Sequence, residues 1–291
     1  MAKKTNPAAA ELRRLLRKYP DTQTLELLVP DILGTLKGKR IRRKDFEKAC
    51  TEEFWFCGGT VLLSVLGEVI EGLPGYSDGD PDIPVRVVPG SLAPVPWSNR
   101  PMAQALYRMF DADGTPFYAD PRAVLERALA PLQKMGLRMV MATELEFYLL
   151  DGKADRPTAR APKVPGIGRP QPGVQVYHPD DLVEVQPFID DVFDYCEAQN
   201  IPADTVISEY AAGQFEINLM HVDDPVLACD HGVLLKRAVK AAARKHGFVA
   251  CFMAKPFAED AGNGLHIHMS LVDRNGKNYF SQGRDSLATP P

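Results

Sequence analysis

Three short stretches place ionisable side chains at positions i and i+2 in apolar surroundings. The first follows Val206-Ile207-Ser208, where Glu209 leads through Tyr210-Ala211-Ala212-Gly213 into Gln214-Phe215-Glu216-Ile217-Asn218-Leu219. Side chains on a strand alternate between faces, so Gln214, Glu216 and Asn218 share one face and Phe215, Ile217 and Leu219 the other. The small turn folds Glu209 back toward Glu216. Carboxylates brought together repel unless a cation lies between them, and hard divalent ions prefer oxygen ligands. Taken alone, this pattern also describes a half-buried strand with a solvated face.

Two further stretches strengthen the metal reading. Residues 138–143 form an apolar strand that runs into Glu144-Leu145-Glu146-Phe147, with Glu144 and Glu146 on one face. Gly262-Asn263-Gly264 leads into Leu265-His266-Ile267-His268-Met269-Ser270-Leu271, with His266, His268 and Ser270 on one face. A lone strand histidine or a lone Glu-x-Glu is ordinarily a satisfied or solvated group. Together the three strands predict one sheet whose polar, concave side carries four carboxylates and two imidazoles, with apolar residues behind. Mostly oxygen donors with few nitrogens favour Mg²⁺ or Mn²⁺ over Zn²⁺.

The elements that must position these groups are legible in outline. Residues 8–19 read as a helix with Leu12, Leu15 and Leu16 on one side, 24–29 as a strand, 31–41 as a turn and returning strand, and 43–50 as a short helix. Residues 61–69 offer strand material, and 85–88 are strand-like. Asp111-Ala112-Asp113-Gly114 is a turn signal. Asp120 caps a helix that has Pro121 at its first position and Gly136 past its end. The chain continues with a Pro/Gly-rich loop at 154–179, read as a flap or oligomer contact. A helix over 180–200, a strand at 205–207, a long helix from Asp224-Pro225 to His246-Gly247, a strand at 248–253 and a hairpin turn at Asp273-Arg274-Asn275-Gly276 follow. His178, His221, His231 and His246 fall on loops or helices and read as surface or capping residues. Gly34 and the Gly38-Lys39 pair lack phosphate-loop spacing, and the acidic run at 77–82 lacks EF-hand spacing.

Composition narrows the class. The chain has 291 residues, 45% hydrophobic and 25% charged, which suits one large or two ordinary globular domains. A net charge of −4 gives no electrostatic footprint for nucleic acid. The uncharged run at 54–67 is too short and too glycine-rich to span a bilayer, so no membrane partner is expected. Cys50, Cys57, Cys196, Cys229 and Cys251 show no C-x-x-C spacing, which reads as reduced thiols in a cytoplasmic protein.

The motifs E-x-E-F at Glu144, E-x(4)-G-Q-x-E from Glu209 to Glu216, Lys255-Pro256-Phe257, and G-x-G-x-H-x-H-x-S from Gly262 to Ser270 stand in one order. In that order and context they resemble the glutamine synthetase family, over about residue 25 to the end. Within it they resemble the branch that joins glutamate to a polyamine such as putrescine. The resemblance implies an α+β protein: a small N-terminal β-grasp domain with a leading helix (1–100), then part of a catalytic domain with a curved antiparallel sheet (101–291). It implies one Mg²⁺ or Mn²⁺ on Glu146, Glu209 and Glu216, a second on Glu144 and His266, ATP contacts at His268 and Ser270, and glutamate at Gly262. It also implies ATP-dependent ligation of glutamate to a small amine through γ-glutamyl phosphate, by a homo-oligomer, a dodecamer in the family.

Two positions depart from ammonia-using members. Ala261 stands where they carry an Asn before the glycine, and Ile207-Ser208 stand where His-His is common. Both favour a remodelled amine pocket over ammonia. The family pattern continues past the motifs seen here, with arginines and a further Glu ligand, so residues 1–291 alone are expected not to complete the reaction. Competing readings are an ammonia-using glutamine synthetase, a metal-dependent amide hydrolase suggested by His-x-His, and a non-catalytic homologue.

Overall fold

The computed structural model describes residues 6–70, 72–73, 79, 81–152, 158–160, 168–170 and 175–280. The chain divides into two compact units, Met1–Ala130 and Pro131–Pro291.

In the first unit, α1 (Pro7–Lys18) is capped by Asn6, whose Oδ1 accepts from the amides of Ala8 and Ala9 at 3.0 and 3.2 Å. It buries Leu12 and Leu15. Strands β1 (Thr24–Pro30) and β2 (Leu36–Arg42) form an antiparallel hairpin. The turn is held by Asp31, whose Oδ1 accepts from Leu33 and Thr35 amides. A short 3₁₀ turn leads into α2 (Phe46–Thr51), followed by β3 (Phe54–Cys57), β4 (Asp82–Val87), β5 (Ala93–Pro94) and β6 (Met102–Met109). The sheet runs β2-β1-β6-β4-β3, with β1 and β6 parallel and β5 hydrogen-bonded to β6. The sheet is thus mixed, with α1 and α2 contributing to its core. Its core gathers Leu25, Leu27, Phe46, Val85, Ala103 and Tyr107, with the Tyr107 hydroxyl donating to the Ala49 carbonyl at 2.8 Å.

Strand β6 lies past residue 100 in the chain yet is central to this first sheet, because its residues 102–106 pair with β1. Residues 61–69 do not form the expected strand. Gly58–Leu62 is a 3₁₀ turn, and only an isolated bridge joins Leu63 to Val69. The Ser64 hydroxyl accepts from the amides of Leu66 and Glu68, and Gly67 takes φ +83°, so local side-chain bonding replaces a ladder. Most of the acidic run at 77–82 lies outside the described residues.

The helix α3 (Pro121–Lys134) begins as expected. Asp120 accepts from the Ala123 amide with one carboxylate oxygen and from the Met109 amide with the other. Gly136 follows at φ +73°.

The second unit is built on β7 (Arg138–Asp151), a 14-residue strand long enough to carry several partners. The further elements are β8 (Thr158–Ala159), α4 (Pro179–Val183), α5 (Gln186–Ala198), β9 (Ala203–Ser208), β10 (Gln214–Leu219), α6 (Pro225–Lys245), β11 (Phe248–Cys251) and β12 (Leu265–Val272). The sheet runs β11-β7-β10-β9, and β12 pairs with the N-terminal half of β7; all these pairings are antiparallel. Helix α6 covers one face closely: a Cβ at Gly232 would sit 3.1 Å from Thr143 Oγ1 and 3.9 Å from Leu145 Cδ1. Phe147 on the same face meets the rings of Phe188, Phe215 and Phe252.

The expected single helix over 180–200 is two helices. The break falls at Glu184-Val185, just ahead of α5, where Pro187 in the first turn has no amide to continue the preceding helix. The loop expected at 154–179 lies largely outside the described residues. The apolar side of β12 is not buried as expected. Leu265, Ile267 and Met269 are more than half exposed.

Candidate metal centre and functional site

Register decides which side chains meet. On β7 the even residues Glu144, Glu146 and Tyr148 point away from α6. The β7–β10 register sets Glu146 opposite Glu216 and Glu144 opposite Asn218, while β12 sets His266 opposite Glu144. One row across the sheet is therefore His266, Glu144, Asn218, and the next holds Glu146 and Glu216. Glu209 joins from the β9–β10 turn, where its amide donates to the Gln214 carbonyl at 2.9 Å.

Ligand-type atoms converge in two overlapping groups. Glu146, Glu209 and Glu216 form one; Glu144, Glu216 and His266 form the other; within each, the atoms lie within 4.8 Å of one another. Glu216 is common to both, which its sequence position alone did not reveal. His266 Nδ1 lies 3.2 Å from Glu144 and 3.5 Å from Glu216, and its Nε2 lies 3.8 Å from Glu146. His268 Nε2 is 2.9 Å from the other Glu144 oxygen.

The electrostatics carry the strain of this packing. Burial and the neighbouring charges of Glu144 and Glu146 raise Glu216 above the ordinary carboxylate range, against a hydrogen bond from Asn218. Burial, with Glu146 and Glu216, raises Glu209, against a bond from the Tyr210 amide. For Glu144, burial pushes upward, but bonding to His268 and His266 outweighs it and the net shift is down. For His266, burial pushes downward, yet Glu144, Glu146 and Glu216 raise it overall. Four carboxylates held together by one or two imidazoles are a donor set suited to hard divalent cations, which would relieve the repulsion.

The remaining expected residues are placed as follows. Ser270 lies on β12 opposite Val140, further along the same face as His268. The Gly262 carbonyl accepts from Gln214 Nε2 at 2.9 Å, and a Cβ there would sit 2.7 Å from the Ala254 carbonyl oxygen. Ser208 is buried and donates to the His178 carbonyl, whereas Ile207 lines a cavity of about 650 Å³. That cavity also borders Glu144, Glu216, Asp204, Tyr177 and His221. His221, read from sequence as a surface or capping residue, belongs beside the site: its ring lies 6.0 Å from that of His268. His246 does cap α6, bonded to Asp191.

Two residues escaped the sequence reading as site members. Gly264 lies against the cluster: a Cβ there would come 2.6 Å from Glu146 Oε1 and 2.8 Å from His266 Nε2, so a side chain would displace those ligand-type groups. Gln214 is buried, and its amide donates to Glu146 Oε2 at 2.9 Å. The signal for both was present in G-x-G and G-Q-x-E, but spacing alone does not say what a glycine or glutamine touches.

Gly213 fixes the turn that returns Glu209 to the cluster. It takes φ +74°, and a Cβ would lie 2.5 Å from the Arg160 carbonyl oxygen. Gly213→Ala is expected to cost about 1–3 kcal/mol from backbone strain, with contact added, and to lower both the melting temperature and metal uptake. Thermal melts with and without Mn²⁺ check this.

The antiparallel sheet of the second unit thus carries its carboxylates and imidazoles in paired rows on one face. The family model described as glutamine synthetase, catalytic domain, matches residues 118–289, and the chain belongs to that family. It is 40% identical over 284 residues to gamma-glutamylputrescine synthetase of Escherichia coli (strain K12), covering 95% of this chain and 59% of the relative. It is 29% identical over 289 residues to glutamate–isopropylamine ligase of a Pseudomonas species, covering 97% of this chain and 61% of that protein. The solved GmaS–ADP complex superimposes with a TM-score of 0.76 at 24% identity, covering 98% of this chain and 60% of that one, a likeness of fold. The chain thus spans about three fifths of the length of the curated relatives it matches.

Proposed function

We propose that this chain carries the metal centre and the nucleotide-facing wall of an ATP-dependent glutamate–amine ligase. The observation that carries the proposal is the pair of ligand groups sharing Glu216. Glu146, Glu209 and Glu216 would hold one Mg²⁺ or Mn²⁺, and Glu144 with His266 a second, beside Glu216. Bound cations would neutralise charge on the transferred phosphoryl group and align its oxygens.

The chain's own residues then have distinct tasks. His268 and Ser270, with the cavity beside Glu144 and Glu216, receive ATP. The loop at Gly262 receives glutamate. A γ-carboxylate oxygen of glutamate attacks the γ-phosphorus and ADP leaves, giving γ-glutamyl phosphate. The amine nitrogen then attacks the acyl carbon, phosphate leaves, and the amine gives up a proton. Water takes that proton. A homo-oligomer, dodecameric as in the family, in the cytoplasm completes the reading.

The acceptor is an organic amine, putrescine-like in class, rather than ammonia. Support comes from the names of two relatives, gamma-glutamylputrescine synthetase and glutamate–isopropylamine ligase. It also comes from Ala261 and from Ser208, whose hydroxyl is turned into a buried hydrogen bond instead of toward an acceptor. An ATP- and glutamate-dependent phosphate-release assay on the native protein is expected to show at least about tenfold higher kcat/KM with putrescine or another primary amine than with ammonium, or roughly 1.4 kcal/mol. Ammonium as the best acceptor would turn the reading to glutamine synthesis.

A further inference from the structure

We infer that Gln214 is a positioning residue that ties the orientation of a metal-binding carboxylate to the conformation of the 254–264 loop. The metal half of this inference rests on the proposed cation site; the loop half does not. Gln214 is 1% exposed, and all of its side-chain polar atoms are engaged. Its Nε2 donates to Glu146 Oε2 at 2.9 Å and to the Gly262 carbonyl at 2.9 Å, with Asn263 Oδ1 at 3.3 Å. Its Oε1 accepts from the Ala211 amide at 3.1 Å, inside the turn that carries Glu209. One buried amide therefore spans three segments: β7 through Glu146, the Glu209 turn, and the loop before β12.

The division of Glu146 between partners gives this geometry its meaning. Gln214 occupies Oε2. The other oxygen, Oε1, faces Gly264 and the His266 ring, the side where the ligand atoms converge. A carboxylate fixed by one oxygen presents the other without paying to select a rotamer, which is how outer partners of metal ligands act. The same amide hydrogens hold Gly262, so a shift of Glu146 is felt at the loop and a shift of the loop at Glu146.

The loop has a second tie that bypasses the carboxylates. The Tyr148 hydroxyl donates to the Ala261 carbonyl at 2.7 Å. Asn263 Nδ2 also donates to the carbonyls of Cys251 and Met253. This allows loop order and carboxylate aim to be separated by experiment.

The test measures Mn²⁺ affinity by calorimetry and amide exchange over residues 254–264, without ATP, glutamate or amine, so failure of the ligase reading leaves it intact. Gln214→Met keeps the side-chain volume and removes the donor. It is expected to raise the Mn²⁺ dissociation constant by about 10–100-fold, the usual cost of losing an outer partner, and to speed loop exchange several-fold. Tyr148→Phe is expected to speed loop exchange while leaving Mn²⁺ affinity within about twofold, as a contact away from the ligands should. Glu146→Gln is expected to lose the Mn²⁺ site it shares with Glu209 and Glu216 while keeping loop protection, since its amide oxygen still accepts from Gln214. If the Met variant does not fold, Gln214→Asn, too short to reach Glu146, is expected to show the same pair of losses. Unchanged Mn²⁺ affinity in the Gln214 variants overturns the inference. So does an equal loss of affinity in Tyr148→Phe, which would reduce Gln214 to one more loop anchor. Wild-type protein that takes up no Mn²⁺ overturns the cation site and the metal half with it.

Discussion

Replacing Glu216 is expected to weaken Mn²⁺ uptake by more than the roughly 10–100-fold that loss of an outer partner costs. Glu216 belongs to both ligand groups, so one substitution removes an oxygen from each. Glu144 and Glu209 each belong to one group, and their alanine variants are expected to lose less, with one class of bound ion retained. Folding and binding effects can be told apart by sign. Glu216 is buried, and its charged form is disfavoured by burial and by Glu144 and Glu146. Removing that charge relieves the metal-free protein. Glu216→Gln keeps the volume and the oxygen that accepts from Asn218 at 3.0 Å. It is expected to melt no lower than wild type without metal, yet to gain little when Mn²⁺ is added. Calorimetric titration and paired melts check both halves. Near-wild-type affinity in Glu216→Ala would remove the shared-ligand assignment.

The second large effect is on pH. Glu209, Glu216 and His266 all hold protons more tightly than usual, and each must release its proton to bind a cation. Mn²⁺ affinity is therefore expected to fall as pH drops from about 7.5 to 5.5, approaching tenfold per pH unit for each proton displaced. The metal-free protein should respond in the opposite sense. The raised His266 contributes stability that is fully present below its ordinary value of 6.5 and is lost as pH rises through its higher folded value. The raised Glu209 and Glu216 cost stability when ionised, and the cost is relieved as pH falls through their folded values above 4.5. Glu144 runs the other way: its lowered folded value adds stability above 4.5 that is lost only further down. Between about pH 8 and 5 Glu209, Glu216 and His266 favour the metal-free fold as pH falls, against His231, whose value is lowered by burial and which costs stability below its ordinary 6.5, while the increment on adding Mn²⁺ shrinks. Melts across that range with and without Mn²⁺ check the crossing trends. Parallel trends would show that Glu209, Glu216 and His266 do not release protons to bind cations.

Much of the site was legible because strands alternate. Once residues 144–146, 214–218 and 266–270 read as strands, the faces of Glu144, Glu146, Glu216, His266 and His268 followed without any tertiary information. Capping chemistry was local too. Asp120 with Pro121 and Asp224 with Pro225 begin helices where their side chains accept from amides within three residues. What failed locally failed for local reasons read too coarsely: Pro187 splits a helix, and Ser64 with Gly67 folds a turn in place of a strand.

Other features were decided by tertiary structure alone. Period-two spacing gives a face but not a register, and it is the register of β7 against β10 and β12 that sets Glu216 beside Glu146 and His266 beside Glu144. The membership of β6 in the first sheet depends on pairing with β1 some eighty positions earlier. The burial of Ser208, the approach of His221 to His268 and the triple engagement of Gln214 arise from contacts between segments distant in the chain. The sequence thus determined which residue types could meet a cation and on which faces they stand. The tertiary structure decided which of them come together, because register and turn geometry are set by packing across the whole sheet.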